Sequence, residues 1–71
     1  MKVNVTMESE NPATGRDGRY WVCRTVDGWH NYCGVHYAKT AAKSIFLMYH
    51  ANEVDSVTEI DAEHATAEIA E

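Results

Sequence analysis

The sequence predicts an α+β fold: a three-stranded antiparallel sheet, with strands at about residues 2–8, 19–26 and 29–36, and one helix at about 38–51 packed on one face. Three observations carry this prediction. Residues 2–8 alternate apolar and polar, an Asp-Gly pair divides two runs rich in β-branched and aromatic residues, and after Ala38 the apolar period lengthens to that of a helix.

In Lys2-Val3-Asn4-Val5-Thr6-Met7-Glu8, Val3, Val5 and Met7 share one side and the polar residues the other, the pattern of a half-buried strand. Ser9 to Gly18 gathers Asn-Pro, two glycines and polar residues, and reads as a loop. Asp27-Gly28 marks a hairpin tip, because both central positions of the favoured two-residue turn need φ > 0. Ala38, Ala41, Ala42, Ile45, Met48 and Tyr49 then recur at helical spacing and form one apolar face, which Phe46 and Leu47 widen. Lys39, Lys43 and His50 lie on another face, and Thr40 suits an N-cap if the helix starts late.

Beyond residue 52 the pattern is mixed. Val54 to Ile60 reads as a short edge strand, although Val54, Val57 and Ile60 also fit a helical spacing, and Asp61 to Ala70 reads as a helix capped by Asp61. The chain therefore divides into a βββα domain at 1–52 and an acidic C-terminal extension at 53–71, a strand and/or helix, the whole forming a single small domain.

At 71 residues and 8.0 kDa, such a domain buries little surface, so its stability margin is thin. No apolar run exceeds five residues, Ile45 to Tyr49, so neither a membrane-spanning helix nor a signal-peptide core is expected and the cytoplasm is the expected location. Two cysteines are too few for a disulfide framework. The net charge of −5 hides an asymmetry: residues 1–50 carry six Lys or Arg against four acids, whereas residues 51–71 carry seven acids and no base. A one-signed segment of this kind attracts basic partners from a distance; its bland role is to keep the chain soluble.

Cys23, His30, Cys33 and His36 have the residue types of a structural zinc site. Strand register argues against it. A two-residue turn at Asp27-Gly28 puts Cys23 opposite Tyr32 and on one face with Trp21, His30 and His36, while Cys33 points the other way with Val22, Trp29 and Val35. A three-residue turn makes the cysteines direct partners and moves both histidines to the opposite face. Neither brings four ligands together, although a bulge at Gly34 would bring some of them closer, so no metal and no other cofactor is expected.

The two-residue register assigns Tyr20, Val22, Val26, Trp29, Cys33, Val35 and Tyr37 to a core face. It leaves Arg19, Trp21, Cys23, Thr25, His30, Tyr32 and His36 for a partner. Trp, Tyr, His and Arg are enriched where proteins recognise something, because they join large apolar area to a polar handle. Their bland role is to stabilise a small two-sided sheet. Arg19, Arg24, Lys39 and Lys43 offer a sparse basic stripe for phosphates, and Ala38-Lys39-Thr40-Ala41-Ala42-Lys43 resembles the basic helix start of double-stranded-RNA-binding domains. The chain lacks that family's first helix and ends in acids that oppose phosphate binding. No nucleophile elbow, phosphate-cradling glycine loop or paired-His metalloprotease motif is present, so an enzyme is not expected.

The order of strand Val3-Asn4-Val5-Thr6, loop Asn11-Pro12, hairpin Tyr20 to Val26 with Asp27-Gly28 at its tip, and helix Ala38 to Met48 resembles the layout of several very small phage-encoded anti-CRISPR proteins. The likeness covers about the first 50 residues and rests on layout, not on a signature motif. It implies a stoichiometric inhibitor that occupies a surface of a host protein or nucleoprotein complex, such as a Cas subunit, in the host cytoplasm. On this reading Trp21, His30, Tyr32 and His36 form the partner-facing side, and Asp55, Glu59, Asp61, Glu63 and Glu68 mimic phosphates or steer association. Two alternatives remain: a small nucleic-acid-binding module using Arg19, Arg24, Lys39 and Lys43, and a homodimer that completes its core through a free strand edge.

Overall fold

The computed structural model describes residues 1–70 as a five-stranded antiparallel sheet crossed on one face by one short helix. In chain order the elements are β1 (Lys2–Glu10), β2 (Asp17–Thr25), β3 (His30–Gly34), α1 (Ala41–Met48), β4 (Val54–Asp61) and β5 (His64–Ile69). One-turn 3₁₀ segments at Val35–Tyr37 and Ala51–Glu53 flank α1. The strand order is β3-β2-β1-β5-β4, so the N-terminal strand lies in the middle.

The expected three-stranded sheet is therefore two strands short. Val54–Asp61 is an edge strand, but Asp61 to Ala70 is not a helix: His64–Ile69 enters the sheet between β1 and β4. Ala65, Ala67 and Ile69 are buried and alternate with Thr66 and Glu68, a strand's period of two that overrides the helical propensity of Ala and Glu. The helix is also shorter than expected. Thr40 is its N-cap, its hydroxyl accepting from the Lys43 amide at 3.2 Å, and residues 38–40 precede it.

The sheet's inner face carries Val3, Val5 and Met7 of β1, Trp21 and Cys23 of β2, and Ala65, Ala67 and Ile69 of β5. Ile45 and Ala41 of α1 pack on it, both fully buried. Alanine on both sides of this contact lets the helix come close to the sheet, and the Ala41 amide donates to the Ala62 carbonyl at 3.1 Å, tying the helix start to the β4–β5 turn. The buried Trp21 indole donates from Nε1 to the Ala38 carbonyl at 2.8 Å, which pins the segment leading into α1.

Hairpin register decides which aromatics point inward. The loop between β2 and β3 has three residues, Val26 to Gly28, and pairs Trp21 with Cys33, Val22 with Tyr32 and Cys23 with Asn31, a register different from both expected ones. The Gly28 amide donates to the Thr25 carbonyl at 3.2 Å, and Gly28 has φ +92°, so a four-residue turn closes on a left-handed glycine. The Thr25 hydroxyl and the Trp29 amide both donate to the Asp27 carboxylate, which starts the loop one residue earlier than the Asp-Gly signal implied. As a result the expected faces of β2 are exchanged while those of β3 are kept: Trp21, Cys23 and Thr25 are buried under the helix, whereas Tyr20, Val22 and Arg24 face the other side with His30 and Tyr32. No helix of the described residues is long and apolar enough to cross a membrane.

Ile45→Ala should cost about 2–5 kcal/mol, and Trp21→Phe, which leaves the Ala38 carbonyl without its donor, about 1–3 kcal/mol. Urea unfolding followed by circular dichroism measures both; a loss below about 0.5 kcal/mol in each contradicts the helix-on-sheet core.

Candidate partner interface

Because one face of the sheet is covered by α1, the opposite face is open, and strand alternation determines what it displays. Across it run Tyr32, Val22, Thr6 and His64 in one row and His30, Arg24, Asn4, Thr66 and Thr58 in the next. Val22 is wholly buried even here, because it sits in register among Tyr20, Arg24, Thr6 and Tyr32. Tyr20 and Tyr32 meet edge to face with centroids 6.1 Å apart. His64 Nε2 lies 2.7 Å from Asn4 Oδ1, cross-linking β5 to β1 on this side.

Arg24 donates to Glu8 twice, Nη2 to Oε1 at 2.9 Å and Nε to Oε2 at 3.2 Å. These bonds hold the Glu8 carboxyl below the usual carboxylate range, with the Arg24 hydrogen bond as the main cause and its charge a smaller one. Arg24 is therefore neutralised locally, and it lies on the opposite side of the sheet from Lys39 and Lys43, which are exposed around the helix. Arg19 alternates with Trp21 and so falls on the helix side of β2, exposed. The four residues of the expected basic stripe do not form one surface. A shallow cleft of about 320 Å³, lined by Lys2, Val3, Asn4, Arg24, Thr25 and Val26, sits at one end of β1 and β2.

The expected aromatic anchors separate. Trp21 is 2 % exposed and belongs to the core. His30 and Tyr32 are exposed on the open face at the β3 edge, and His36 lies beyond β3, its ring tilted against that of Tyr37 with centroids 4.1 Å apart. The His36 ring lies over Gly34 so closely that a Cβ there would fall 2.6 Å from its Cε1. Trp29, expected in the core, is half exposed and packs against Tyr49 at 6.2 Å. The four residues of the zinc-like set are split as well: Cys23 and Cys33 face the helix, His30 faces the other way and His36 is in the following turn.

The carboxylates are gathered. Asp55, Glu59, Asp61, Glu63 and Glu68 are all exposed, and the first four lie on edge strand β4 or its turn into β5. Glu59 pairs with inward-facing Ala65 and Asp61 with His64, so acids project to both sides of this edge. The Asp61 carboxylate accepts from the Glu63 amide at 2.7 Å, which fixes the turn, and Glu68 lies 3.9 Å from the N-terminal ammonium group. What composition alone describes as an acidic tail is an ordered acidic rim. No protein-family model, curated protein or solved structure matches this chain.

Folding lowers the Glu8 pKa, so the Glu8–Arg24 pair adds stability above the unfolded carboxylate pKa and loses it as pH falls through the folded value. For a half-exposed pair, Glu8→Gln should cost about 0.5 kcal/mol at neutral pH. That gap should close on acidification below the ordinary glutamate range; a gap that persists in acid contradicts the pair. Burial also pushes both thiols up, with Cys23 the more buried. Iodoacetamide should alkylate Cys33 before Cys23, and mass spectrometry showing equal rates contradicts the deeper burial of Cys23.

Proposed function

We propose that this chain acts stoichiometrically, without chemistry of its own, by docking its acidic rim onto a basic surface of a host protein or nucleoprotein complex. The observation that carries the reading is the placement of Asp55, Glu59, Asp61 and Glu63 along one ordered sheet edge. A rigid display of like charges has already met its ordering cost, so it competes with nucleic acid for a basic groove better than a flexible tail of equal charge. Within this reading the partner class is the nucleic-acid-binding surface of a CRISPR interference complex, and the protein is a phage anti-CRISPR. The strand, Asn-Pro loop, hairpin and helix order over the first 50 residues supports that class.

The acidic rim also weighs against the nucleic-acid-binding alternative, as does the capture of Arg24 by Glu8. Truncation after Asn52 is no test of the acids, because it removes β5, the interior strand beside β1. Point substitutions are.

Titrating the protein into a type I CRISPR complex bound to labelled target DNA should release the DNA at a fixed stoichiometry. A variant carrying Asp55→Asn, Glu59→Gln, Asp61→Asn and Glu63→Gln should need at least roughly tenfold more protein, with weaker salt dependence, as expected when several long-range charges are lost. Retention of the DNA at a large excess of protein contradicts the anti-CRISPR assignment. Full potency of the neutralised variant contradicts the role of the rim.

A further inference from the structure

The two edges of the sheet differ in a way that points to a second partner. Edge strand β4 is guarded: irregularities interrupt its pairing between Val54 and Ser56 and between Glu59 and Asp61, and it carries three acids. Such features keep a strand edge from pairing with another chain. Edge strand β3, His-Asn-Tyr-Cys-Gly, has no bulge, no proline and no Asp, Glu, Lys or Arg.

The β3 edge also presents free backbone groups. The Thr25 amide donates to the Trp29 carbonyl at 3.0 Å, which makes Thr25 and Trp29 a hydrogen-bonded pair. By alternation Asn31 and Cys33 bond to β2, and the amides and carbonyls of His30, Tyr32 and Gly34 point outward. Tyr32 shows what that edge lacks: its amide donates to the side chain of Asn31 at 2.9 Å, a local substitute for a neighbouring strand. The exposed aromatics are concentrated here. Trp29 precedes the strand, Tyr32 is at its centre and Tyr37 follows it, at 49, 36 and 68 % exposure.

We propose that β3 pairs antiparallel with β3 of a second copy of this chain, about a two-fold axis normal to the sheet, to give a ten-stranded dimer. Charge selects a second copy as the occupant. With no formal charge on β3, two copies meet there without repulsion, while both acidic β4 edges move to the outer ends of the joined sheet. Self-pairing through β4 instead places carboxylates against carboxylates. The arrangement keeps both helices on one side and leaves two acidic rims free, about 43 Å apart at the usual strand spacing if the sheet were flat. It stands whether or not those rims bind what is proposed above.

Analytical ultracentrifugation of the full chain, from micromolar to millimolar, should show a mass rising from 8.0 kDa to twice that value. Tyr32→Glu and Tyr32→Lys should each weaken self-association at least roughly tenfold by setting like charges across the axis, and an equimolar mixture of the two should restore it. Thr58→Lys on β4 should change nothing, and far-ultraviolet circular dichroism confirms that each variant keeps its sheet. A monomer at every concentration overturns the proposal. So does a dimer that Tyr32→Glu leaves intact, or a mixture that associates no better than either variant alone.

Discussion

The pairing of β1 with β5 holds this small fold together. Without it, the first fifty residues form a three-stranded sheet whose edge strand β1, with Val3 and Val5, has β2 on one side only. With β5 in place, β1 is bonded on both edges, and Val3 and Val5 are sealed by Cys23 and Thr25 from one neighbour and Ala65 and Ala67 from the other. The N-terminal ammonium group and the Ile69 carbonyl, 2.8 Å apart, close the same ladder at its end. The sheet must therefore bring together residues more than sixty positions apart, a costly loop to close before its contacts form. Helix α1, lying between β3 and β4 in sequence, spans that gap in the chain and covers the face it creates.

The surfaces follow from the same pairing. Because β5 takes the place beside β1, β4 is pushed to the edge, and its acids become a rim fixed by backbone hydrogen bonds. Because α1 covers one face only, alternate residues of the strands point to the open side, which accounts for the Thr, Asn, His and Tyr rows there, with Val22 buried among them. The Glu8–Arg24 pair and the Tyr20–Tyr32 contact cover Val22 there, giving that face a small hydrophobic patch beneath polar groups. The charged edge and the uncharged edge lie at opposite sides of the sheet, so one molecule presents two unlike ways of meeting another.

Much of this was legible in the residues. The alternation of Lys2 to Glu8, the hairpin around Asp27-Gly28 and the Thr40 cap lie where the pattern put them, and the Asn-Pro loop is shorter than expected because Ser9, Glu10, Asp17 and Gly18 belong to strands. Asn11 closes its loop by accepting from the amides of Ala13 and Thr14. The register of the hairpin was not legible, because Val26 is no turn residue by type; the Thr25 and Asp27 side chains, not the Asp-Gly pair alone, decide where the loop begins. One residue of slip exchanged the faces of β2 relative to β3 and moved Trp21 from the surface to the core. The last strand was obscured for another reason. Ala65, Ala67 and Glu68 favour a helix locally, and only the vacancy beside β1, a long-range feature, makes them a strand. The period of two in His64 to Ile69 was the signal available, weakened by alanine's small contrast with its neighbours.

The most direct measurement is amide hydrogen exchange read residue by residue along β1. The Met1–Ile69 bonds and the donation of the Met7 amide to the Glu63 carbonyl at 3.2 Å set the alternation: the amides of Val3 and Val5 point to β5, and those of Asn4 and Thr6 to β2. All four should be strongly protected, as should Ala65 and Ala67, which bond back to β1. Rapid exchange at Val3, Val5, Ala65 and Ala67 while Asn4 and Thr6 remain protected would mean that β5 is not in the sheet, and the ordered acidic rim would go with it.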